Sequence, residues 1–181
     1  MSQLGLHFEV VIPPEEPEPP STSCPTPVDR AHWLAAWKLQ WGASVAPDAV
    51  LVAADTMVVL DEAVLGKPRN PREAADMLRM LSGRCHRVIT AVGVGAGERV
   101  LLEHEETAVV MRPLSDEEIS GYVRSGEPLD KAGAYGIQGL GAVLVERIEG
   151  CFYNVVGLPL ARLARMLEQF DIRVLGKRGG V

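Results

Sequence analysis

The chain has 181 residues, 47% of them hydrophobic and 23% charged, a balance that fits one folded unit rather than a disordered chain. Its formal charge of −6 argues against a nucleic-acid polymer as partner, because general binders of that class meet phosphate backbones with basic surface. It leaves room for a small phosphorylated substrate held by a local basic pocket or a divalent cation. Cys24, Cys85 and Cys151 are odd in number and widely spaced, so neither a disulfide scaffold nor a structural zinc site is expected. No apolar run approaches the ~20 residues that span a bilayer, and the N-terminus lacks the pattern of a signal peptide. The expected compartment is the cytoplasm, with no membrane partner.

Residues 6–12 read as a short strand, followed by a proline-rich acidic loop over 13–25. Thr26, Pro27 and Asp29 supply the cap, N1 and N3 chemistry of a helix, which the pattern carries to about Trp41 and stops at Gly42. Trp33, Trp37 and Trp41 fall four apart on one stripe. Such a stripe suits a core or a subunit contact, so a homodimer is among the expected assemblies. Lys38 lies off the stripe, where a lysine ordinarily snorkels to solvent. Apolar runs at 49–54 and 56–60 predict two buried strands. Asn70, Pro71 and Glu73 repeat the capping logic for a helix to about Leu81. Strands are expected at 88–94, 100–102 and 107–111, then a short helix capped by Ser115 and Glu118. The glycine-rich stretch 126–141 predicts a long loop or broken helix. Two strands at 142–146 and 151–155 flank a turn, a last helix spans about 159–170, and a basic glycine-rich tail occupies 176–181. Intermingled strands and helices place the chain in the α/β or α+β class.

The sharpest chemical signal is Asp55, which interrupts an apolar pair of strands. A buried carboxylate is costly unless hydrogen-bonded, paired or bound to a metal, so Asp55 reads either as a base or metal ligand at a sheet edge or as the polar residue of a turn. Lys67 sits on the constrained loop Gly66-Lys67-Pro68, and Arg84, His86 and Arg87 precede a strand. Asp130-Lys131 opens the glycine-rich stretch. Arginine meets phosphate oxygens through its fork and lysine as a point charge. Together these residues compose a candidate phosphate and metal site, although spacing does not show that they converge. There is no GxxxxGK[ST], HExxH or GxSxG motif. Cys85 and His86, as strand neighbours, point to opposite faces and make a poor catalytic pair. His32 and His104 have no acidic or cysteine partner at metal-site spacing.

Longer motifs carry a resemblance. Residues 53–59 (AADTMVV), 65–68 (LGKP), 81–90 (LSGRCHRVIT), 130–139 (DKAGAYGIQG) and 153–159 (YNVVGLP) occur in an order that resembles the Maf family of nucleotide pyrophosphatases. The resemblance implies a mixed α/β sheet with flanking helices, two lobes around a cleft, akin to the inosine triphosphate pyrophosphatase fold. It implies a hydrolase of acid anhydrides that converts nucleoside triphosphates to monophosphate and diphosphate with Mg2+ or Mn2+. Asp55 then aligns with a general base or metal-associated carboxylate, and Lys67 and Lys38 with phosphate-handling lysines. Glu18 aligns best with an acidic metal residue after the first strand, with Glu16 as the alternative. Asp130 and Lys131 belong with the substrate-binding loop. Within the family, residues 134–139 look like the branch acting on dTTP and UTP. A glutamine amide at 138 offers the donor and acceptor that suit the O4 and N3 edge of uracil or thymine, with Arg84 and Thr56 assisting.

One departure shapes the expectation of activity. Family members begin with an apolar strand, a turn ending in Ser-Pro-Arg-Arg and a helix leading into Leu-Gly, whereas here Leu4-Gly5-Leu6 follows Met1 almost at once. The chain therefore reads as one domain, 1–181, without the first strand and phosphate-binding turn. That is the pattern of a degenerate chain or of a start placed too far downstream, and reduced turnover is expected from it. The competing reading is a non-catalytic nucleotide-binding or regulatory protein on the same scaffold.

Overall fold

The computed structural model describes residues 1–20 and 22–176. Among the described residues five α-helices and five strands follow in the order α1 (Pro27–Val45), β1 (Leu51–Leu60), β2 (Ala63–Leu65), α2 (Pro71–Leu81), β3 (Cys85–Ala96), β4 (Arg99–Met111), α3 (Asp116–Arg124), β5 (Val145–Glu149), α4 (Phe152–Val156) and α5 (Leu160–Glu168), with short 3-10 turns between some of them. The strands form one sheet in the order β2-β1-β3-β4-β5. β2 pairs antiparallel with the end of β1 (Val58 with Leu65, Leu60 with Ala63), and β5 pairs antiparallel with β4 (Ala108 with Glu149). The expected mixed sheet with flanking helices is therefore present. No helix among the described residues is long and apolar enough to cross a membrane.

The helix starts follow the local chemistry. Thr26 and Asp29 close a reciprocal capping box at α1, as Ser115 and Glu118 do at α3, while Asn70 caps α2 ahead of Pro71. Each cap satisfies backbone N–H groups that no helical carbonyl reaches. At the other end of α1 the pattern misleads. The helix runs on through Gly42 to Val45, because Gly42 is a packing position: a Cβ there would sit 3.5 Å from the side chain of Leu51. The tryptophan stripe is only half-buried. The covered face is Ala31, Leu34, Ala35, Leu39 and Gly42, since small and aliphatic side chains let the helix approach its neighbours closely.

Further expectations are corrected. Residues 6–12 form no strand. They belong to none of the sheet's strands, and Val10 and Ile12 are 72% and 79% exposed. β-branched residues alone do not make a strand without a ladder partner. The two strands expected around Asp55 are one continuous β1, and those expected at 100–102 and 107–111 are one continuous β4. Residues 151–155 contain a helical turn rather than a strand. Thr107 explains why. Its hydroxyl accepts the Cys151 N–H at 3.0 Å and the Asn154 side-chain N–H at 3.0 Å, and donates to the Cys151 carbonyl at 3.2 Å. Asn154, fully buried, also donates to the Val88 carbonyl. These bonds replace a ladder and turn the backbone back on itself. Of the tail expected at 176–181, all but Gly176 lies outside the described residues.

The chain separates into two compact units, each assembled from non-contiguous segments: Met1–Asp55, Ala91–His104 and Leu158–Val181 in the first, Thr56–Thr90 and Glu105–Gly157 in the second. The first has a core of Val92, Val94, Leu163, Met166 and Leu167, against which Leu4, Leu6 and Phe170 pack. The second buries Leu78, Leu81, Val88, Met111 and Ile119. Fully burying each such side chain is worth about 1.5–3 kcal/mol.

Candidate active site

In the first unit the structure joins three charged residues from three segments. Lys38, on α1, reaches Asp55 of β1 at 2.8 Å and Glu16 of the proline-rich segment at 2.6 Å. The Lys38 and Asp55 side chains are 19% and 12% exposed, so neither is an ordinary surface charge. Burial opposes the charge on Lys38, but the hydrogen bonds and charges of Asp55 and Glu16 outweigh it and hold its pKa above the usual lysine range. Lys38 is thus a cation throughout neutral pH. The expectation that it snorkels is corrected, because the helix directs it to a half-buried carboxylate 17 residues away. Glu16 is the acidic residue brought to this lysine. Glu18 is exposed and forms no ion pair with Lys38 among the described contacts.

A cavity of about 210 Å3 lies in the same unit, lined by Val11, Pro13, Trp41 and Leu51–Ala54, with Lys38 in its wall. That is smaller than the roughly 300–1,000 Å3 typical of a small-molecule site, so it does not by itself enclose a whole nucleotide. No group of three or more His, Cys, Asp and Glu converges among the described residues. Glu16 and Asp55 nevertheless share one ammonium and so lie within two hydrogen-bond lengths of each other. A pair of carboxylates is what Mg2+ commonly takes from a protein, with water and substrate phosphates completing its shell.

The second unit gathers most of the remaining candidates. Lys131 bonds Asp130 at 2.7 Å. That bond and the Lys131 charge, with Lys67 adding a smaller effect, hold Asp130 below the usual carboxylate range. The Gly133 N–H donates to the Gly66 carbonyl, tying the Lys67 loop to the glycine-rich stretch. Thr90 donates to the Asn154 carbonyl at 3.0 Å, so the 2.9 Å contact between the Thr56 and Thr90 hydroxyls has Thr56 as donor. That leaves the Thr56 oxygen lone pairs for another group. Gln138 is exposed. Arg84 is engaged by both oxygens of Asp61 at 2.8 and 3.0 Å, so a phosphate would have to compete for it.

The sequence places His86 with the candidate phosphate site and gives no role to Tyr122, Glu127 or Tyr135; the structure instead buries His86. His86, 2% exposed, lies 2.7 Å from the Tyr135 hydroxyl, whereas Cys85 is exposed, as strand alternation requires. Tyr122 and Glu127 bond each other and the backbone of residues 136–141. Their partners are distant in sequence, so no periodicity reveals them. In the first unit His32 and His104 approach each other to 3.1 Å.

Burial pushes the His86 imidazole down from 6.5 to about 4. Between those values the unfolded chain binds more protons than the folded one. The stability contributed by neutral His86 is therefore complete above about pH 6.5 and is lost as pH falls towards 4. Thermal unfolding followed by circular dichroism should show Tm falling through this window by the equivalent of up to about 3 kcal/mol. His86→Gln should flatten that part of the profile relative to the parent.

The sequence model of the family described as Maf-like protein matches residues 1–170. The chain belongs to the Maf-like family. Its mixed sheet and flanking helices have the architecture of the Maf and inosine triphosphate pyrophosphatase fold. This Maf-like chain is 46% identical over 170 residues to a dTTP/UTP pyrophosphatase of Symbiobacterium thermophilum, covering 94% of the chain and 87% of the relative. It is 42% identical over 177 residues to a dTTP/UTP pyrophosphatase of Aquifex aeolicus, covering 95% and 89%. A dTTP/UTP pyrophosphatase of Bacillus velezensis is 49% identical over 148 residues, covering 82% and 78%.

Proposed function

We propose that this Maf-like chain hydrolyses dTTP, UTP and related pyrimidine nucleotides to the monophosphate and diphosphate. The observation that carries the reading is the Lys38–Asp55–Glu16 cluster, taken with relatives of similar length that bear that activity in their names. In the reaction a water oxygen attacks the α-phosphorus, the bond from that phosphorus to the bridging oxygen breaks, and diphosphate leaves. Asp55 orients the water and accepts its proton. Lys38, kept cationic by its carboxylates, stabilises charge growing on the phosphoryl oxygens. Glu16 and Asp55 are the residues that would hold a divalent cation, Mg2+ or Mn2+, which when bound polarises phosphoryl oxygens. Lys67 and Lys131 add positive charge for the phosphates, and the Thr56 oxygen, left as an acceptor, assists Gln138 with an N–H of the base. The cytoplasm, where nucleoside triphosphates are used and three unpaired thiols stay reduced, is the proposed compartment.

Gln138 is proposed to read the O4 and N3 edge of the base. Replacing it by leucine removes both halves of that contact. The preference for dTTP and UTP over CTP should then fall by about 1–3 kcal/mol in kcat/KM. Steady-state pyrophosphate release on the three nucleotides measures this directly, and an unchanged preference would release Gln138 from the role.

A further inference from the structure

We propose that Glu127 and Tyr122 are positioning residues for base selectivity, because they close and hold the loop that presents Gln138. The inference rests on the base-edge role proposed for Gln138.

A glutamine side chain carries one donor and one acceptor and can turn either way. A turning amide suits cytosine as well as uracil. Gln138 can discriminate between them only if its backbone is held, so that its amide meets the base at one place and angle. The structure supplies such fixing. Residues 136–141 form a closed loop whose ends meet: a Cβ on Gly141 would lie 2.1 Å from the Gly136 carbonyl oxygen. Gln138, Gly139 and Leu140 are exposed at its tip.

The ends are tied from within. The Gly136 N–H donates to the Tyr122 hydroxyl at 3.1 Å, and that hydroxyl donates to Glu127 Oε1 at 2.9 Å. The same Oε1 accepts the Gly141 N–H at 2.9 Å, and Oε2 accepts the Leu140 N–H at 2.9 Å. One carboxylate thereby engages both ends of the loop, directly at Leu140 and Gly141 and through Tyr122 at Gly136. Burial alone would raise the Glu127 carboxyl, but these bonds outweigh it and keep its pKa below the usual range, so at neutral pH it acts purely as an acceptor. Glu127 is itself seated, since its N–H donates to the Ser125 hydroxyl, which donates to the Tyr122 carbonyl. On the other side of Gly136, Tyr135 is anchored to His86. The network acts on the backbone of residues 136–141, so the effect expected of it is on selectivity.

The test compares the parent with E127Q, Y122F, Q138L and E127Q/Q138L, measuring kcat and KM on dTTP, UTP and CTP together with Tm. A glutamine at 127 keeps one acceptor oxygen but opposes the Leu140 N–H with an amide donor. Y122F keeps the ring packing and cuts the link to Gly136, which covers the case that E127Q folds poorly. The expected result is a loss of about fivefold or more in the dTTP-to-CTP ratio of kcat/KM in both single variants. E127Q should add nothing further to Q138L, because both act through the same contact. Hydrogen exchange at Leu140 and Gly141 should accelerate in E127Q. If Q138L lowers the ratio while E127Q and Y122F leave it unchanged, or slow all three nucleotides equally, the positioning inference is overturned and the role of Gln138 stands. If Q138L itself leaves the ratio unchanged, the base-edge reading falls, and this inference with it.

Discussion

Asp55→Asn is expected to fold like the parent and to turn over dTTP about 10²-fold or more slowly, the scale of a lost general base. Asparagine has the shape of aspartate, and Lys38 keeps Glu16 as a charge partner at 2.6 Å, so the substitution does not strand a buried ammonium. What it removes is the basic oxygen, and with it one of the two carboxylates available to a cation. Position 55 is central in a ten-residue strand, Leu51–Leu60, where the backbone ladder rather than the side chain holds the fold. Pyrophosphate release under saturating dTTP with Mg2+ or Mn2+ gives the rate, and thermal unfolding gives the stability. A variant within about twofold of the parent rate would take Asp55 out of the chemistry.

Gly141→Ala should destabilise the fold by about 3 kcal/mol, at the upper end of what overpacking costs. The added methyl would meet the Gly136 carbonyl at 2.1 Å and the Tyr122 hydroxyl oxygen at 2.6 Å. Neither neighbour is a flexible side-chain end. Gly136 is backbone held by its own N–H bond, and the Tyr122 hydroxyl is fixed by Glu127. The loop must open, and two hydrogen bonds to Glu127 go with it. Gly66→Ala is the control, since nothing lies within 4 Å of the position its Cβ would take, and it should change stability by no more than about 0.5 kcal/mol. Urea unfolding of the two variants beside the parent makes the comparison. Equal midpoints would mean that the 136–141 loop is not closed as described.

What the sequence makes legible follows the range of the interaction. The caps at Thr26, Asn70 and Ser115 are decided within four residues, and each helix begins where its cap predicts. The continuous strands β3 and β4 are longer than their apolar runs suggest, because ladder pairing carries polar residues such as Glu103 and His104 along with the apolar ones. Residues 151–155 carry a strand-like composition, yet Thr107 and Asn154 recruit them into a helical turn from outside the segment. The same limit applies to the site. Asp55 stands out because a carboxylate in an apolar run demands a partner. Its partner Lys38 looks like a surface lysine on the helix pattern, and only the packing of α1 against β1 brings the two together. Glu127 sits in a polar stretch where a carboxylate attracts no notice. Its importance depends on Leu140 and Gly141 folding back over it, which no local pattern encodes.

The most direct test of the central claim is product analysis after the 181-residue chain is incubated with dTTP, UTP and CTP in Mg2+ or Mn2+. The account predicts that dTTP and UTP yield the nucleoside monophosphate and diphosphate in equal amounts, with CTP cleaved more slowly and the Asp55→Asn chain nearly inactive. Binding of dTTP without its cleavage would contradict the account and support a non-catalytic nucleotide-binding protein. Release of orthophosphate in place of diphosphate would contradict it as well, because attack would then lie at the γ-phosphorus rather than the α.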